Sequence, residues 1–527
     1  MKPAMERDVT LVKLPTASRT FRRHRLRGLL GLCLSAVLLT SGCSINIWGA
    51  DEDRGTLRQL DGSTSPWRDC AGEAKRIGGG KAPGVSFSCA KLRVPQDWTH
   101  PNEKTFSVAL MRARKQHQSN RIGSLLVNPG GPGASGIELA AQAPLFLPQA
   151  LQERFDIVGF DPRGVGESSP VRCISDKAKD TQIVEDPTPG QAGLAEQSKT
   201  ATDIAKQCRD KYGDTLRYYS TEQTARDMDA IRSAMGDAKL NYLGYSYGTL
   251  LGSVYAKLFG PNIRSMVLDG PIDPNLNNVE TSRQQAAAFE KAFDAFANNC
   301  RQRGKDCKSG TNPRATMQRV IAKSNTDPAR DSDGRRATEG VVVSAAISAL
   351  YTQERWGQLD SALHDLDTGR KADSAFSLVD EYFGRKQSGK YDNSTDAELT
   401  VTCTDDPNPP SAGRINQLRT QWQREYPVFG ATLASSLLGC STWQGGHDPY
   451  ETGQATGAPP IVVVGTTGDP ATPYANAARL AQLLGTGTVL TWQGEGHTAY
   501  PQVGCITNAV NDYLISLRVP ENGARCS

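Results

Sequence analysis

Short apolar runs rich in branched residues recur along the chain and predict the strands of a buried sheet. These runs are Phe106–Met111, Ser124–Val127, Phe155–Phe160, Leu240–Gly244, Ser265–Leu268, Ile461–Val464 and Val489–Trp492. Stretches with apolar residues at helical spacing lie between several of them, for example Thr221–Met235. Because strands that alternate with helices pair in parallel, the pattern predicts an α/β fold with a mainly parallel sheet.

The region 275–396 has a different pattern, in which apolar residues recur at helical spacing without a convincing buried strand. The predicted helices are Thr281–Asn299, Pro313–Ser324, Gly340–Tyr351, Arg355–Thr368 and Ala375–Arg385. A helical insertion between two strands of such a sheet covers the carboxyl edge of the sheet. We therefore predict a helical cap at 275–396, which divides the α/β core into an N-terminal part, 69–274, and a C-terminal part, 397–527.

The length and the charge of the chain narrow the function classes. A chain of 527 residues exceeds what one hydrophobic core usually organises, which agrees with a core and an insertion. The net charge of +4 arises in residues 1–42, which hold eight of the 60 basic and two of the 56 acidic residues. The other 52 basic and 54 acidic residues give a net charge of −2, so nucleic-acid binding has no electrostatic support.

The N-terminal segment has the pattern of an export signal. The basic stretch Arg19–Arg27 precedes the apolar stretch Gly28–Leu39, and small residues lead up to Cys43. The apolar stretch is shorter than the ~20 residues that a membrane-spanning helix needs. The residues up to Cys43 resemble a bacterial lipobox, in which the cysteine carries lipid. We expect a signal peptide at 1–42, a membrane anchor at Cys43 and a tether at 43–68; the alternative is ordinary secretion.

Cysteine usage agrees with export. Apart from Cys33 and Cys43, ten of the 12 cysteines remain, an even number that suits an oxidising compartment. Sequential pairs, each closing a loop within one segment, would be Cys70–Cys89, Cys173–Cys208, Cys300–Cys307, Cys403–Cys440 and Cys505–Cys526. The sequence leaves other connectivities open. The chain has no C-x-x-C pair and no Cys/His cluster, so neither a metal nor another cofactor is predicted.

The pentapeptide Gly244–Gly248 has the form G-x-S-x-G. It follows a predicted strand directly and precedes a predicted helix, Thr249–Leu258. A sharp strand-to-helix turn exposes its serine, and the glycines relieve the crowding on either side. The helix start supplies free N–H groups and a positive field beneath the serine. The motif alone is common by chance, but in this position it predicts an α/β-hydrolase fold with Ser246 as nucleophile.

Serine is a weak nucleophile without a base, and in this fold the chain order is serine, acid, histidine. Three histidines follow Ser246. His364 lies within a predicted cap helix, and His447 lies in a loop that no strand precedes. His497 follows a predicted strand near the end of the chain, where the histidine of this fold belongs, so His497 is the predicted base.

Two aspartates follow predicted strands and could orient the histidine. Asp469 lies in the loop after Ile461–Val464, and Asp269 ends the strand Ser265–Leu268. Some members of the fold carry the acid one strand earlier, which keeps Asp269 as the alternative. Because Asp469 directly precedes the strand that leads to His497, it is the predicted acid, with the role of holding the imidazole tautomer.

An acyl-transfer site also needs donors for the oxyanion. One is the backbone N–H of Tyr247, the residue after the nucleophile, and the other should come from the loop Asn128–Gly133. Pro132 has no N–H, so Gly131 is the predicted second donor. A phosphate-binding loop is the alternative, but the G-x-G-x-x-G spacing is not met.

These motifs together resemble the bacterial tripeptidyl aminopeptidase family, in the proline iminopeptidase branch of the α/β hydrolases. The matching segments are Asn128–Gly133, Gly159–Gly166, Gly244–Thr249, Gly468–Pro473 and Gly496–His497. Pro129 stands where proline iminopeptidases have a histidine, which favours the tripeptidyl branch. The resemblance runs from about Cys70 to Cys526. It implies an exported peptidase, with the C-terminal domain of that family, that acts on peptides or proteins with free N termini.

The resemblance also implies a carboxylate that binds the substrate ammonium, since an unpaired charge in a closed cleft is costly. Family members carry an acidic residue shortly after the cysteine that matches Cys403. Asp405 is therefore the first candidate for this role and Asp406 the second. The alternative is a solvated turn before Pro407.

The sequence thus predicts an exported serine aminopeptidase that releases short peptides, such as tripeptides, through an acyl-enzyme on Ser246. A carboxylesterase or lipase would use the same residues, because the fold and the triad do not fix the acyl substrate. A peptide-binding lipoprotein without catalysis is a third hypothesis. It would predict a broken triad, whereas the serine, acid and histidine occur here in the right order.

Overall fold

A ten-stranded sheet runs through the protein. The computed structural model describes residues 66–79, 82–118, 120–184, 191–369 and 371–527. The strands are β1 (Arg68–Asp69), β2 (Val85–Pro95), β3 (Thr105–Lys115), β4 (Gly123–Asn128), β5 (Phe155–Phe160), β6 (Leu240–Tyr245), β7 (Ile263–Asp269), β8 (Ile461–Gly468), β9 (Gly487–Glu495) and β10 (Ala524–Cys526). They lie in the order β1-β2-β3-β5-β4-β6-β7-β8-β9-β10. From β5 to β10 all pairs in this order are parallel, whereas β1, β2 and β3 pair antiparallel with their neighbours.

The strand predictions from the apolar runs are confirmed, and the α/β-hydrolase fold with a mainly parallel sheet is the fold observed. The residues of β4 and β5 are all buried, and strands covered on both faces have continuous apolar runs. The apolar runs do not predict β2. Its residues alternate between buried and more exposed positions, because it is a half-covered antiparallel strand near one edge of the sheet.

The sheet has a hydrophobic core on each face. Alternate residues of a strand point to opposite faces, and β4 follows this rule. Leu125 and Val127 belong to the cluster that also contains Val464 and Tyr513. Leu126 belongs to the cluster on the other face. Helices therefore cover the sheet on both sides.

Helices of the core lie before β7 and after β8. Those before β7 are α1 (Ala71–Arg76), α2 (Gly136–Phe146), α3 (Gln149–Gln152), α4 (Asp176–Val184), α5 (Gln191–Tyr212), α6 (Thr221–Ala234) and α7 (Tyr247–Phe259). The helices between β7 and β8 are α8 (Asn278–Arg303), α9 (Pro313–Ser324), α10 (Glu339–Leu350), α11 (Trp356–His364), α12 (Asp373–Tyr382), α13 (Ser394–Asp405), α14 (Ala412–Glu425), α15 (Gly430–Ser436) and α16 (Leu438–Ser441). Those after β8 are α17 (Ala475–Leu484) and α18 (Gly504–Ser516).

The helices α8 to α12 surround a hydrophobic core of their own, in which Phe293, Val341 and Phe376 are buried. The helical segment does not end at residue 396, where the sequence pattern places the end of the cap, but continues through α13 to α16. Phe429 from this continuation packs into the same core. In contrast, Cys403 of α13 belongs to the core of the sheet, so α13 connects the two parts.

The sequential disulfides predicted from the sequence are all present: Cys70–Cys89, Cys173–Cys208, Cys300–Cys307, Cys403–Cys440 and Cys505–Cys526. Among the described residues, no helix has the length and apolar character needed to cross a membrane. The predicted signal peptide and the predicted anchor at Cys43 lie outside the described residues. The fold already includes Arg68, which pairs with β2, so the segment predicted as a tether ends earlier than residue 68.

Candidate active site

Ser246 lies at the turn between β6 and α7 and has backbone angles φ 54° and ψ −123°. A residue with a side chain rarely adopts a positive φ, and such strain is typical of a nucleophile elbow. The two glycines of the motif make the turn possible. A methyl group on Gly244 would lie 2.4 Å from the carbonyl oxygen of Gly248, and one on Gly248 would lie 2.9 Å from Oδ1 of Asn128.

His497 and Asp469 form a buried pair at the ends of the neighbouring strands. The Nδ1 atom of His497 lies 3.0 Å from Oδ1 and 2.9 Å from Oδ2 of Asp469. The carboxylate is itself held by the backbone N–H groups of Ala471 and Thr472 and by the hydroxyl of Thr472. Because an ionised carboxylate only accepts hydrogen bonds, a neutral His497 carries its proton on Nδ1 and exposes Nε2 as a base.

The Nε2 atom of His497 is buried and has no hydrogen-bond partner among the described residues. It lies close to the elbow, because Ser246 and His497 both adjoin the end of β7. The N–H of Ser246 donates to the carbonyl of Asp269, and a methyl group on Gly270 would lie 3.0 Å from Cε1 of His497. No hydrogen bond joins Ser246 and Nε2 in this part of the described chain, and such catalytic bonds often close only when substrate is bound.

Electrostatics favour protonation of His497. Burial on its own lowers the pKa of the imidazole, but the nearby carboxylates of Asp469 and Asp269 outweigh burial and raise it above its ordinary value. Burial raises the pKa of Asp269 to about 7, although the backbone N–H groups of Tyr500 and Ala499 act in the opposite direction. The imidazole therefore lies between two acidic side chains that stabilise its protonated form.

The alternative site residues weighed from the sequence lie in other surroundings. Asp269 does not bind the imidazole; its carboxylate accepts hydrogen bonds from the N–H groups of Ala499 and Tyr500, which follow His497. Nδ1 of His364 lies 3.0 Å from the carbonyl oxygen of Lys308 in the cap. His447 is exposed, and its Nδ1 lies 3.0 Å from the carbonyl oxygen of Cys403.

The loop after β4 lies against the elbow, as an oxyanion loop must. A methyl group on Gly130 would lie 2.9 Å from Cβ of Ser246 and 3.0 Å from the backbone nitrogen of Tyr247. The N–H of Gly130 donates to the side chain of Asn128, so it is not a free donor. Gly131 is the next residue of the loop and is exposed. Tyr247 begins α7, and the N–H groups of a first helical turn have no partner within the helix.

Asp405 and Asp406 lie at the end of α13, where both carboxylates accept hydrogen bonds from the protein. Asp405 accepts from the backbone N–H and the hydroxyl of Thr221, at the start of α6. Burial raises the pKa of Asp405 to about 7. Asp406 accepts from the side chain of Asn278 and from the N–H of Asn408. Neither aspartate is therefore an unpaired acceptor in this structure.

Three residues near the site were not found from the sequence: Tyr351, Tyr382 and Glu398. The carbonyl of Tyr351 accepts the N–H of His497, and the two rings are T-shaped with centroids 5.2 Å apart. Tyr382 packs edge-on against Tyr351 at 6.1 Å. Glu398 lies on α13. Tyr351 follows α10 and Tyr382 lies on α12. Because the position of these segments relative to His497 depends on tertiary packing, no local motif could have indicated the three residues.

Two groups of side chains among the described residues have the spacing of metal ligands: Cys70, Glu73 and Cys89, and Cys300, Cys307 and Asp360. In each group the two cysteines form a disulfide with each other. Because thiolates are the form of cysteine that binds metals, these groups do not fit a metal ion. Neither group includes a residue of the candidate site.

The chain is similar to two known protein families and to several known proteins. Residues 426–526 match the family model described as TAP-like protein, and residues 123–344 match the model described as alpha/beta hydrolase fold. The serine protease Hip1 of Mycobacterium tuberculosis (strain H37Rv) is 36% identical over 485 residues, which cover 88% of this chain and 91% of that protein. Carboxylesterase B of the same strain is 37% identical, over 83% of this chain and 86% of that protein. The tripeptidyl aminopeptidase of Streptomyces lividans is 30% identical, over 88% of this chain and 86% of that protein.

Proposed function

The chain belongs to the TAP-like family of serine hydrolases with the α/β-hydrolase fold, and we propose that it is an exported aminopeptidase. It releases short peptides, such as tripeptides, from the free N termini of peptides or proteins. The observation that carries the hydrolase part is the buried His497–Asp469 pair, whose unpartnered Nε2 belongs to an imidazole that adjoins the same end of β7 as the strained Ser246. The names of the relatives support the peptidase part, since two of the three above are a serine protease and a tripeptidyl aminopeptidase.

In the proposed mechanism, the hydroxyl of Ser246 attacks the scissile carbonyl carbon while Nε2 of His497 takes its proton. The N–H groups of Gly131 and Tyr247 bind the oxyanion that forms. The bond to the leaving amine then breaks, and His497 returns the proton to that amine. Water hydrolyses the acyl-enzyme by the same route, with His497 first as base and then as acid. Asp469 keeps the imidazole in the required tautomer and stabilises its charged form.

Carboxylesterase activity is the second candidate, because one relative of similar identity is named Carboxylesterase B. The two candidates differ in what occupies the cleft beyond the scissile bond. A peptide substrate with a free N terminus brings a positive charge that needs a partner in the protein. A simple ester has no such requirement.

Purified protein tested on alanyl-alanyl-alanine p-nitroanilide, its N-acetylated form and p-nitrophenyl butyrate separates the candidates. We expect rapid cleavage of the free peptide anilide and loss of cleavage on acetylation. Ser246→Ala and His497→Ala should lower kcat by roughly 10⁴-fold or more on every substrate that is cleaved. Equal cleavage of the free and acetylated anilides, or cleavage of the ester alone, would reject the aminopeptidase proposal. Full activity of Ser246→Ala would reject the site.

The proposal includes export and a lipid anchor at Cys43. The paired cysteines support a compartment outside the cytoplasm, where disulfides persist. The anchor rests on the sequence pattern up to Cys43.

A further inference from the structure

Glu398 carries a carboxylate that the proposed mechanism does not use. Its side chain is accessible to solvent, and it takes part in neither an ion pair nor a hydrogen bond with the residues that the structure describes. Desolvation by the neighbouring protein nevertheless raises the pKa of Glu398 to about 7. An unpaired carboxylate there is unfavourable until a cation binds it.

Helix α13 places Glu398 next to the loop that carries the proposed oxyanion donor. A methyl group on Gly133 would lie 2.3 Å from the carbonyl oxygen of Ser394 and 3.1 Å from the backbone nitrogen of Glu398. The first turns of α13 therefore lie in direct contact with the loop after β4. A substrate held by Gly131 has this part of α13 as its neighbour.

Two tyrosines connect Glu398 with the imidazole. Burial, with the Glu398 carboxylate as a second cause, raises the pKa of Tyr382 to about 12. Tyr382 is 42% exposed and packs against Tyr351, whose ring contacts His497. An accessible aromatic ring is thus separated from the imidazole by the single ring of Tyr351, and an unpaired carboxylate acts on that accessible ring. Carboxylates and aromatic rings are the groups that bind ammonium ions in proteins.

We propose that Glu398 binds the ammonium group of the substrate's free N terminus, with the ring of Tyr382 as a second contact. This inference rests on the proposed aminopeptidase function and names the residue that binds the substrate's N terminus. An extended tripeptide spans about 10 Å, so its ammonium has to be bound one or two side-chain layers from Ser246 rather than beside it. Tyr382, which Tyr351 separates from the imidazole and on which the Glu398 charge acts, marks such a position.

The carboxylates predicted from the sequence are less suited to this role. Both oxygens of Asp405 already accept hydrogen bonds from Thr221, and Asp406 is bonded to Asn278. A substrate ammonium would have to compete with these contacts. Glu398 offers both oxygens without that competition.

The experiment compares Glu398→Gln, Asp405→Asn and a control, Glu425→Gln, with the unmutated enzyme. Glu425 lies on α14 and is exposed; its carboxylate accepts from the side chain of Gln421 and forms a 3.8 Å ion pair with Arg283, so its substitution removes the same charge elsewhere on the helical segment. The substrates are the free and N-acetylated alanyl-alanyl-alanine p-nitroanilides and p-nitrophenyl butyrate. The measured quantity is kcat/KM for each substrate, with KM and kcat separated.

We expect Glu398→Gln to lower kcat/KM for the free peptide by about 10- to 100-fold, mainly through KM, since this is the usual effect of losing a hydrogen bond to a charged group. Its ester hydrolysis should be unchanged, which shows that the variant is folded. The preference for free over acetylated peptide should disappear. Glu398→Asp, which keeps the charge, should recover part of the preference, and Glu425→Gln should behave as the unmutated enzyme.

Full retention of the preference in Glu398→Gln would overturn the assignment, and its loss in Asp405→Asn alone would move the role to Asp405. Both results leave the aminopeptidase function intact. Failure of the proposed function is a different result, because then the unmutated enzyme itself shows no preference for the free N terminus.

Discussion

Two carboxylates lie beside His497, and their hydrogen bonds give them different roles. Asp469 contacts Nδ1 of the imidazole with both oxygens. Asp269 instead binds the backbone after His497, and its carbonyl accepts the N–H of Ser246. The same residue type therefore orients the base in one position and ties the base loop to the elbow in the other. At the scale of residues, the hydrogen-bond partners of each aspartate, rather than the residue type, decide its role.

This difference predicts a ranking of two matched substitutions. Asp469→Asn should lower kcat for p-nitrophenyl butyrate by about 10⁴-fold, because the amide favours the wrong imidazole tautomer. Asp269→Asn should cost at most about 100-fold, since it disturbs the position of the loop and leaves the tautomer unchanged. Steady-state kinetics of both variants tests the ranking. The opposite order would make Asp269 the acid of the triad.

A second prediction concerns the pH dependence. A general base acts in its neutral form, so a raised pKa moves the acidic limb of the kcat/KM profile to higher pH. The carboxylates of Asp469 and Asp269 raise the pKa of His497 above the ordinary 6.5, against the effect of burial. We therefore expect the midpoint for the uncharged ester above pH 6.5. Asp269, with a pKa of about 7, is partly ionised in this range, so Asp269→Asn removes part of the negative charge and should shift this midpoint to lower pH.

The control for the pH experiment is Asp512→Asn, which removes an exposed carboxylate paired with Arg518 on the surface. Its profile should coincide with that of the unmutated enzyme. A midpoint that stays in place in Asp269→Asn would show that Asp269 exerts no electrostatic influence on the base.

At the scale of elements, the way in which a strand or helix is buried determined whether the sequence pattern could predict that element. The central strands are covered on both faces and appear as apolar runs, so β4 to β9 were predictable. The alternating β2 was not found. The helices α8 to α12 were found within a few residues, because they surround a core of their own. The continuation through α13 was missed, since polar residues such as Asp396 and Thr400 are buried there and obscure the helical pattern.

The junction after β7 supports a prediction about the elbow. Gly270 has a φ of 71°, and a methyl group there would lie 3.0 Å from Cε1 of His497 and 3.1 Å from the hydroxyl oxygen of Thr472. Gly270→Ala should displace the imidazole and lower kcat about 10- to 100-fold with little change in KM, because a shift of about 1 Å at the base has this effect.

The matched control is Gly413→Ala, at a position in α14 where a methyl group would meet no atom within 4 Å. Its kcat for the ester should stay within about twofold of the unmutated value. Normal kcat in Gly270→Ala would show that the imidazole tolerates a neighbour at this junction, and would weaken the assigned contact between β7 and the base.

At the scale of the whole molecule, the order of the motifs along the chain predicted the serine, acid and histidine better than it predicted the residues that the cap brings to the site. Serine, acid and histidine follow successive strands, and parallel strands bring their carboxyl ends to one edge, so the proximity of Asp469 and His497 was predictable. The partner of the substrate N terminus was sought just after Cys403, whereas Glu398, the residue that our proposal names, lies earlier on the same helix. The packing of the cap on the core determines which face of α13 contacts the loop after β4. No sequence motif indicates this packing.

The last prediction concerns the location of the molecule. Residues 1–42 are basic and then apolar, Cys43 follows small residues, and the rest of the chain has a net charge of −2. The ten other cysteines that follow are all paired, which fits folding in an oxidising compartment. We expect the mature protein to begin at a diacylated Cys43 and to fractionate with membranes, since two acyl chains suffice for stable anchoring.

Cys43→Ala should remove the lipid and release active enzyme into the medium or leave the precursor unprocessed, with Cys33→Ala as the control that changes neither. Mass spectrometry of the mature N terminus decides the matter: an unmodified Cys43 would reject the anchor and leave ordinary secretion, whereas an N terminus at Met1 would reject export as well.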